Sequence, residues 1–144
     1  MNSINLARYK DEMLSVLRIV AGVVFTSAGT AKLFGYPHGT LPMPPFHLVT
    51  EMGAAAILET VGGLAITLGL ATRPVAFILA GEMAVAYFQF HFPKSIFPTV
   101  SAGIPAVLYC FLYLYLVFAG AGPWSMDTVI ALRRRHTPPV IETP

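Results

Sequence analysis

Four apolar runs, each about 20 residues long, take up most of this chain and leave few ways to fold it. They extend over residues 13–34, 49–70, 74–92 and 99–119. At a rise of about 1.5 Å per residue, a helix of about 20 residues reaches across the roughly 30 Å hydrocarbon core of a bilayer. Lipid offers the backbone no hydrogen bonds, so only helices and closed barrels cross it. None of the four runs alternates apolar and polar residues in steps of two, which argues against a barrel. The expected fold class is all-α, an integral membrane four-helix bundle, with residues 1–144 in a single membrane domain.

The breaks between the runs fit that reading. Pro37, Pro42, Pro44 and Pro45 rule out a helix from Gly35 to His47. Ala71, Thr72, Arg73 and Pro74 make a very short connection, with Pro74 suited to the start of the next helix. Pro93 to Pro98 separate the third run from the fourth, and from Gly120 the chain turns polar, with a short helix expected from about Ser125 to Arg135. Only 11% of the residues are charged, against about 25% in an average soluble domain, too few to cover a water-facing surface. Nine basic and seven acidic groups give a net charge of +2, which excludes nucleic acid as a partner. The single cysteine, Cys110, excludes an intramolecular disulfide and any cysteine-based metal cluster, and reads as a small apolar residue. The first run comes after Arg8, Lys10, Asp11 and Glu12 and is too long for a signal-peptide core, so it reads as an uncleaved span.

Orientation follows from the basic residues. Arg8, Lys10 and Arg18 at the N-terminal end, Arg73 in the second connection, and Arg133, Arg134 and Arg135 in the tail all fall on one side of four spans. Cytoplasmic loops carry the excess of Lys and Arg. Both termini, including the tail 120–144, are thus expected in the cytoplasm, with the chain in a bacterial-type inner (plasma) membrane. Arg73, Arg133, Arg134 and Arg135 fix the topology, and membrane lipid is a partner, the tail arginines reaching anionic headgroups. The opposite side offers only Lys94 and, near its helix end, Lys32. His38 and His47 stand in the proline-rich loop with no Cys or Asp nearby and read as ordinary loop residues, so no metal site is expected.

Glu59 and Glu82 fall near the middles of the second and third runs. An acid at the centre of a span costs about 2.5–3.5 kcal/mol, which points to function. Ala55, Glu59, Gly63 and Thr67 recur every fourth residue, and Glu82 and Gln89 share a face with Ala86 between them, so both acids are expected to face the bundle interior. Candidate cations are Lys32, Lys94, His91 and Arg18. Lys32 and Arg18 stand about 21 Å apart along one helix, too far for one acid to pair with both. Three roles remain open: a polar pin between helices through Thr26, Ser27, Thr30 or Tyr109, a site for a small molecule such as a quinone, or a proton path. Glu59, Glu82, Lys32, His91, Gln89 and Tyr87 form the candidate ligand site or polar core. Tyr87, Phe88, Phe90, His91, Phe92 and Phe97 suit an interfacial aromatic belt or a ring pocket, and Trp124 an interfacial anchor. No Gly-rich phosphate loop, metal-spaced Cys/His set or pair of mid-span histidines occurs, so no catalytic residue is identified and no intrinsic cofactor is expected. Any redox chemistry needs a bound cofactor or a partner that brings one.

Several linked motifs resemble the DoxX family over roughly residues 15–130. They are Gly29-Thr-Ala-Lys32-Leu-Phe-Gly35, then Glu59-Thr-Val-Gly62-Gly63 through Gly69 to Thr72-Arg73-Pro74, then Gly81-Glu82-Met83-Ala84-Val-Ala86-Tyr87-Phe88 with His91, Pro93, Phe97 and Pro98, and finally Gly122-Pro123-Trp124-Ser125-Met126-Asp127. The resemblance implies a small four-helix membrane protein, associated with quinone and thiol stress and often found beside a soluble oxidoreductase. It implies at most the membrane subunit of a quinone-linked redox system, which binds a quinone or docks the oxidoreductase that supplies electrons. The alternative is a non-catalytic structural or assembly subunit of a larger membrane complex. The chain departs from the family pattern where a Gly-Gly-Glu-like element precedes the last span: here Ser101-Ala102-Gly103-Ile104-Pro105 stands, and Ile104 takes the place of the acid.

Overall fold

The computed structural model describes residues 6–37 and 51–136. A 3₁₀ turn, Leu6–Tyr9, leads into α1 (Lys10–Phe34). Then come α2 (Glu51–Leu68), α3 (Thr72–Ala86) continued by a π-helical turn (Tyr87–His91), α4 (Ile104–Ala119) and the short α5 (Met126–His136). The described residues contain no strand, so the fold is all-α. Most of the proline-rich loop, with His38 and His47, lies outside the described residues.

The elements depart from the apolar runs at their edges. α2 stops at Leu68 because Gly69 takes a left-handed conformation (φ 68°), and Leu70 N–H returns to the Ala65 carbonyl. α3 begins at Thr72, two residues before Pro74. Pro74 is tolerated there because the first-turn N–H groups have no partner within the helix. α4 begins only at Ile104, since residues 93–103 are taken up by turns that Pro93 and Pro98 help to define. The expected tail helix is present as α5.

α1 packs along α2 and α3 along α4, while α2 and α3 touch more lightly. The first pairing is made by glycines. A Cβ added at Gly22, Gly29 or Gly63 would stand 2.6, 2.5 or 2.7 Å from the backbone nitrogen of Thr67, Thr60 or Thr26, respectively. Backbone meets backbone here, and any larger side chain forces the helices apart. The threonine hydroxyls are not left bare at this crossing. Thr26, Thr60 and Thr67 each donate to the carbonyl four residues back, at 2.8, 2.7 and 2.9 Å. The core continues through Phe25, Ile66, Leu79, Met83, Tyr113 and Leu116. Outward faces stay apolar: Val61, Leu64, Phe77, Val85, Phe111 and Phe118 are all exposed. The stretch Leu6–Phe34 is long and apolar enough to cross a bilayer by itself. Met52–Leu68 and Ile104–Ala119 are apolar but shorter.

One end of the bundle is closed by a buried arginine. Arg18 has no exposed surface. Its guanidinium donates to the carbonyls of Ile66 and Thr67 (2.5 and 2.6 Å) at the end of α2, of which that of Ile66 also accepts the Gly69 N–H, and to those of Ala121 and Trp124 (2.7 and 2.5 Å) in the loop before α5. A cation there also complements the negative end of the α2 dipole. Asp127 completes the closure. Its carboxylate accepts from the N–H groups of Ala71 and Thr72 at 2.8 and 2.9 Å, capping α3 from outside, while its own N–H donates to the Gly69 carbonyl. Arg73 donates to the Val117 carbonyl near the end of α4. The Gly122–Asp127 motif is therefore a latch that fastens the tail across the ends of α1, α2 and α3.

Candidate functional site

Away from the latch, α2 and α3 part. They touch where Gly62 admits Leu79: a Cβ at Gly62 would stand 2.7 Å from Leu79 Cδ2. Beyond that contact a cavity of about 700 Å³ lies between the two helices. Its walls are mostly apolar, with Met52, Ala55 and Leu58 from α2 and Ile78, Met83 and Val85 from α3. Glu59, Glu82, Lys32, Gln89, His91 and Lys94 face the same space. Five of the six candidate residues from the sequence thus gather around one cavity.

The acids are held there differently. Glu59 is only 4% exposed, and its Oε1 takes a bond from Lys32 Nζ at 2.5 Å. The pair links the last turn of α1 to the middle of α2, twenty-seven residues apart in sequence. Arg18, the other candidate cation, is spent on carbonyls at the opposite end of α1. Neither buried oxygen of Glu82 has a hydrogen-bond partner, nor does Oε2 of Glu59. A polar pin through the α1 hydroxyls is not what forms: Thr26, Ser27 and Thr30 all donate to carbonyls of their own helix. An unpaired buried polar atom costs about 1–3 kcal/mol, so three of them beside a cavity mark a place shaped for something other than packing.

The π-helical turn sets the outer part of the wall. Phe92 N–H reaches back five residues to the Tyr87 carbonyl at 2.8 Å. The inserted residue rotates the remaining turn by about 100° relative to an uninterrupted α-helix. On a regular helix His91, nine residues after Glu82, would face the opposite side; with the wider turn it joins the cavity. Its Nδ1 lies 2.8 Å from the Ser101 carbonyl. A carbonyl only accepts, so Nδ1 carries the hydrogen and Nε2 is left as an acceptor in the neutral ring. Tyr87 does not line the cavity. Its hydroxyl donates to the Ile96 carbonyl at 2.8 Å and its ring stacks beside His91, against Gly103. Phe90 lines the cavity, whereas Phe88 and Phe97 point outward.

Tyr113 is a core residue that the sequence pattern does not single out. It is fully buried in α4, its hydroxyl has no partner, and it lies within electrostatic range of both Glu59 and Glu82. Its ring packs edge-on against Phe25 and tilts against Tyr109 at 5.6 Å. The only signal for it is the four-residue spacing from Tyr109 in a run with no polar residue to mark the inner face. Cys110 is half-buried against the core. At the far end Arg133 and Arg134 are exposed on the last turn of α5, where Arg135 comes next. Among the described residues no group of three metal-ligating side chains comes together.

Comparison with known proteins covers most of the chain. A family model described as DoxX matches residues 13–92. An uncharacterized protein of Haemophilus influenzae is 40% identical over 132 residues, spanning 85% of this chain and 94% of the relative. The Inner membrane protein YqjF of Escherichia coli is 30% identical over 140 residues, spanning 85% of this chain and 95% of the relative. No solved structure matches significantly.

Proposed function

The chain belongs to the DoxX family, and from that premise we propose that it is a four-span inner-membrane subunit of a redox system that binds a quinone between α2 and α3. The single observation that carries this reading is the cavity of about 700 Å³ in which an apolar wall meets Glu82, whose buried oxygens lack any partner. Ligand sites of this size are mostly apolar with a few convergent polar groups, and a quinone ring on a lipid tail has that chemistry. The spans are α1, α2, α3 with its π-helical turn, and α4. Their exposed apolar faces and the name of the Escherichia coli relative support the membrane setting. The basic residues at the latch end, Arg8, Lys10, Arg73 and Arg133 to Arg135, support an orientation with that end and both termini in the cytoplasm. The cavity then lies in the opposite half of the bilayer.

The residues fit the ligand. Lys32, held by Glu59, brings a cation to the inner end of the cavity, and Glu82 and His91 offer further polar contacts along α3. A quinone bound there supplies two-electron, two-proton chemistry. The chain contributes the apolar seat, the orientation and the nearby carboxyl groups, and the electrons come from a quinone-linked oxidoreductase docked on the subunit. A purely structural subunit has less support, because the small-residue face of α2 is already spent against α1.

The test is purification of the tagged protein from its native membrane in mild detergent, with extraction of bound quinone and mass spectrometry of partners. Quinone should accompany the wild-type chain and be lost from Lys32→Met and Glu82→Leu variants that still purify as folded protein. A chain free of quinone, or one whose quinone survives both substitutions, refutes the site.

A further inference from the structure

We infer that the cavity opens sideways into the lipid between α2 and α3, and that the hydrocarbon tail of its ligand leaves through this opening across Gly81. The inference rests on the quinone-binding reading of the same cavity and adds the route: the ligand enters from the bilayer. The lining points to that exit. Toward the latch, Leu79 fills the notch at Gly62 and closes the space between the helices. Toward the outer end, Lys32, Gln89, His91 and Lys94 make the lining polar, and a hydrocarbon chain laid there would strip those groups of water. On the remaining side the lining residues are themselves part of the outer surface. Leu58 of α2 is 39% exposed, and Ile78 and Val85 of α3 are 53% and 59% exposed, although all three line the cavity. A side chain that borders both the cavity and the lipid stands at a rim.

Gly81 belongs to that rim. It follows Ile78 by three residues and precedes Val85 by four, so the three form one strip along α3. It also comes directly before Glu82, whose unpartnered oxygens face the cavity. Glycine is a poor helix former, and in membrane helices it serves where another backbone must come close. Gly22, Gly29, Gly62 and Gly63 fit that use, each set against a neighbouring helix that a Cβ would strike. Gly81 is exposed, and a Cβ there would meet nothing within 4 Å. Nothing among the described residues takes the place of the missing side chain. A tail that leaves a ring at Glu82 and crosses the rim does take it, because Gly81 is the gap in the strip between Ile78 and Val85. Lipid is as apolar as the tail, so contact with the gap adds little affinity of its own. The gap acts sterically: it lets a tailed ring seat as deeply as a bare one.

The test uses the full chain in lipid nanodiscs with two probes, tetramethyl-1,4-benzoquinone and its analogue in which a decyl chain replaces one methyl. Calorimetry against empty nanodiscs gives a dissociation constant for each, expressed per lipid. Both probes should bind the wild-type chain. In Gly81→Trp the indole fills the gap, and the tailed probe should weaken relative to the bare ring by about tenfold, the scale of an overpacked site. Ile78→Trp, on the same rim, should move the ratio in the same direction and serves if the first variant does not fold. Phe111→Trp, exposed on α4 and outside the cavity lining, should leave the ratio unchanged. An unchanged ratio in the rim variants, equal loss of both probes, or a wild-type chain that takes the bare ring and refuses the tailed one would each overturn the inference while leaving the ring site standing. So would native mass spectra with two copies in the wild type and one in Gly81→Trp while the tailed probe still binds, which would assign the gap to a second copy of the chain. Failure of both probes to bind would overturn the quinone reading and this inference together.

Discussion

Replacing Arg18 with methionine removes the four bonds that close one end of the bundle. Methionine fills much of the same space and donates nothing. The carbonyls of Ile66, Thr67, Ala121 and Trp124 then lose their guanidinium partner inside the protein. That of Ile66 keeps the Gly69 N–H, so three groups are left unpaired, and at about 1–3 kcal/mol for each the gross loss is about 3–9 kcal/mol. Part of this is returned, because the several kcal/mol needed to strip water from the guanidinium is no longer incurred. The difference comes to about 3–5 kcal/mol, the range seen when one partner of a buried charged interaction is removed. With about 3 °C of melting temperature per kcal/mol for a chain of this size, the variant should unfold about 10 °C lower. Cys110 is free and half-buried, so its reaction with a fluorogenic maleimide during heating in detergent reports the transition. Arg18→Lys keeps the charge but has three donors on a shorter reach and should fall between the two. An Arg18→Met melting temperature within about 2 °C of the wild type would show that these carbonyls have other partners, and the latch would lose its central element.

Further outcomes rest on the same geometry. Lys32→Met leaves Glu59 buried and alone and should cost about 3–5 kcal/mol, while Lys32→Met combined with Glu59→Leu should recover most of it, as measured by a double-mutant cycle of thermal unfolding. Gly29→Val drives a side chain into the backbone of Thr60 and should reduce the yield of folded protein more than Val placed at Gly81, where an added Cβ meets nothing within 4 Å. Asp127→Ala removes the cap on α3 and should cost about 1–2 kcal/mol, and limited trypsin digestion should then cut sooner at Arg133 and Arg134. Ala71 holds a left-handed conformation (φ 47°), so Ala71→Gly should raise stability by up to about 1 kcal/mol unless the Asp127 bonds fail to re-form.

The helices are legible in the sequence because lipid-scale apolar runs and prolines mark them without reference to tertiary contacts. The inward direction of Glu59 and Glu82 is legible for a related reason: a charge in an apolar run has few tolerable destinations. Four features are hidden. The partners of Arg18 are neutral carbonyls 48 to 106 residues away, and backbone acceptors leave no mark on residue identity. The π-helical turn depends on one inserted residue in Tyr87–His91, which no spacing rule reveals, and it decides that His91 rather than Tyr87 reaches the cavity. Tyr113 sits in a helix apolar on every side, Ile104–Ala119, where periodicity has no polar residue to register against. The choice of Lys32 over Arg18 as the partner of Glu59 rests on how α1 lies along α2, with Gly22 and Gly29 against Thr67 and Thr60. That crossing is a property of two helices together and of neither alone.

The latch also imposes an order on biosynthesis. Arg18 is made early, and its partner Trp124 comes 106 residues later. At about 5–20 residues per second a ribosome takes roughly 5 to 20 s to cover that interval. Once α2 is made Arg18 has the carbonyls of Ile66 and Thr67, but those of Ala121 and Trp124 come only with the final stretch of translation. Truncated products ending before Ala121 therefore keep a guanidinium with only half of its acceptors, which offers membrane quality control a simple mark for separating finished chains from unfinished ones.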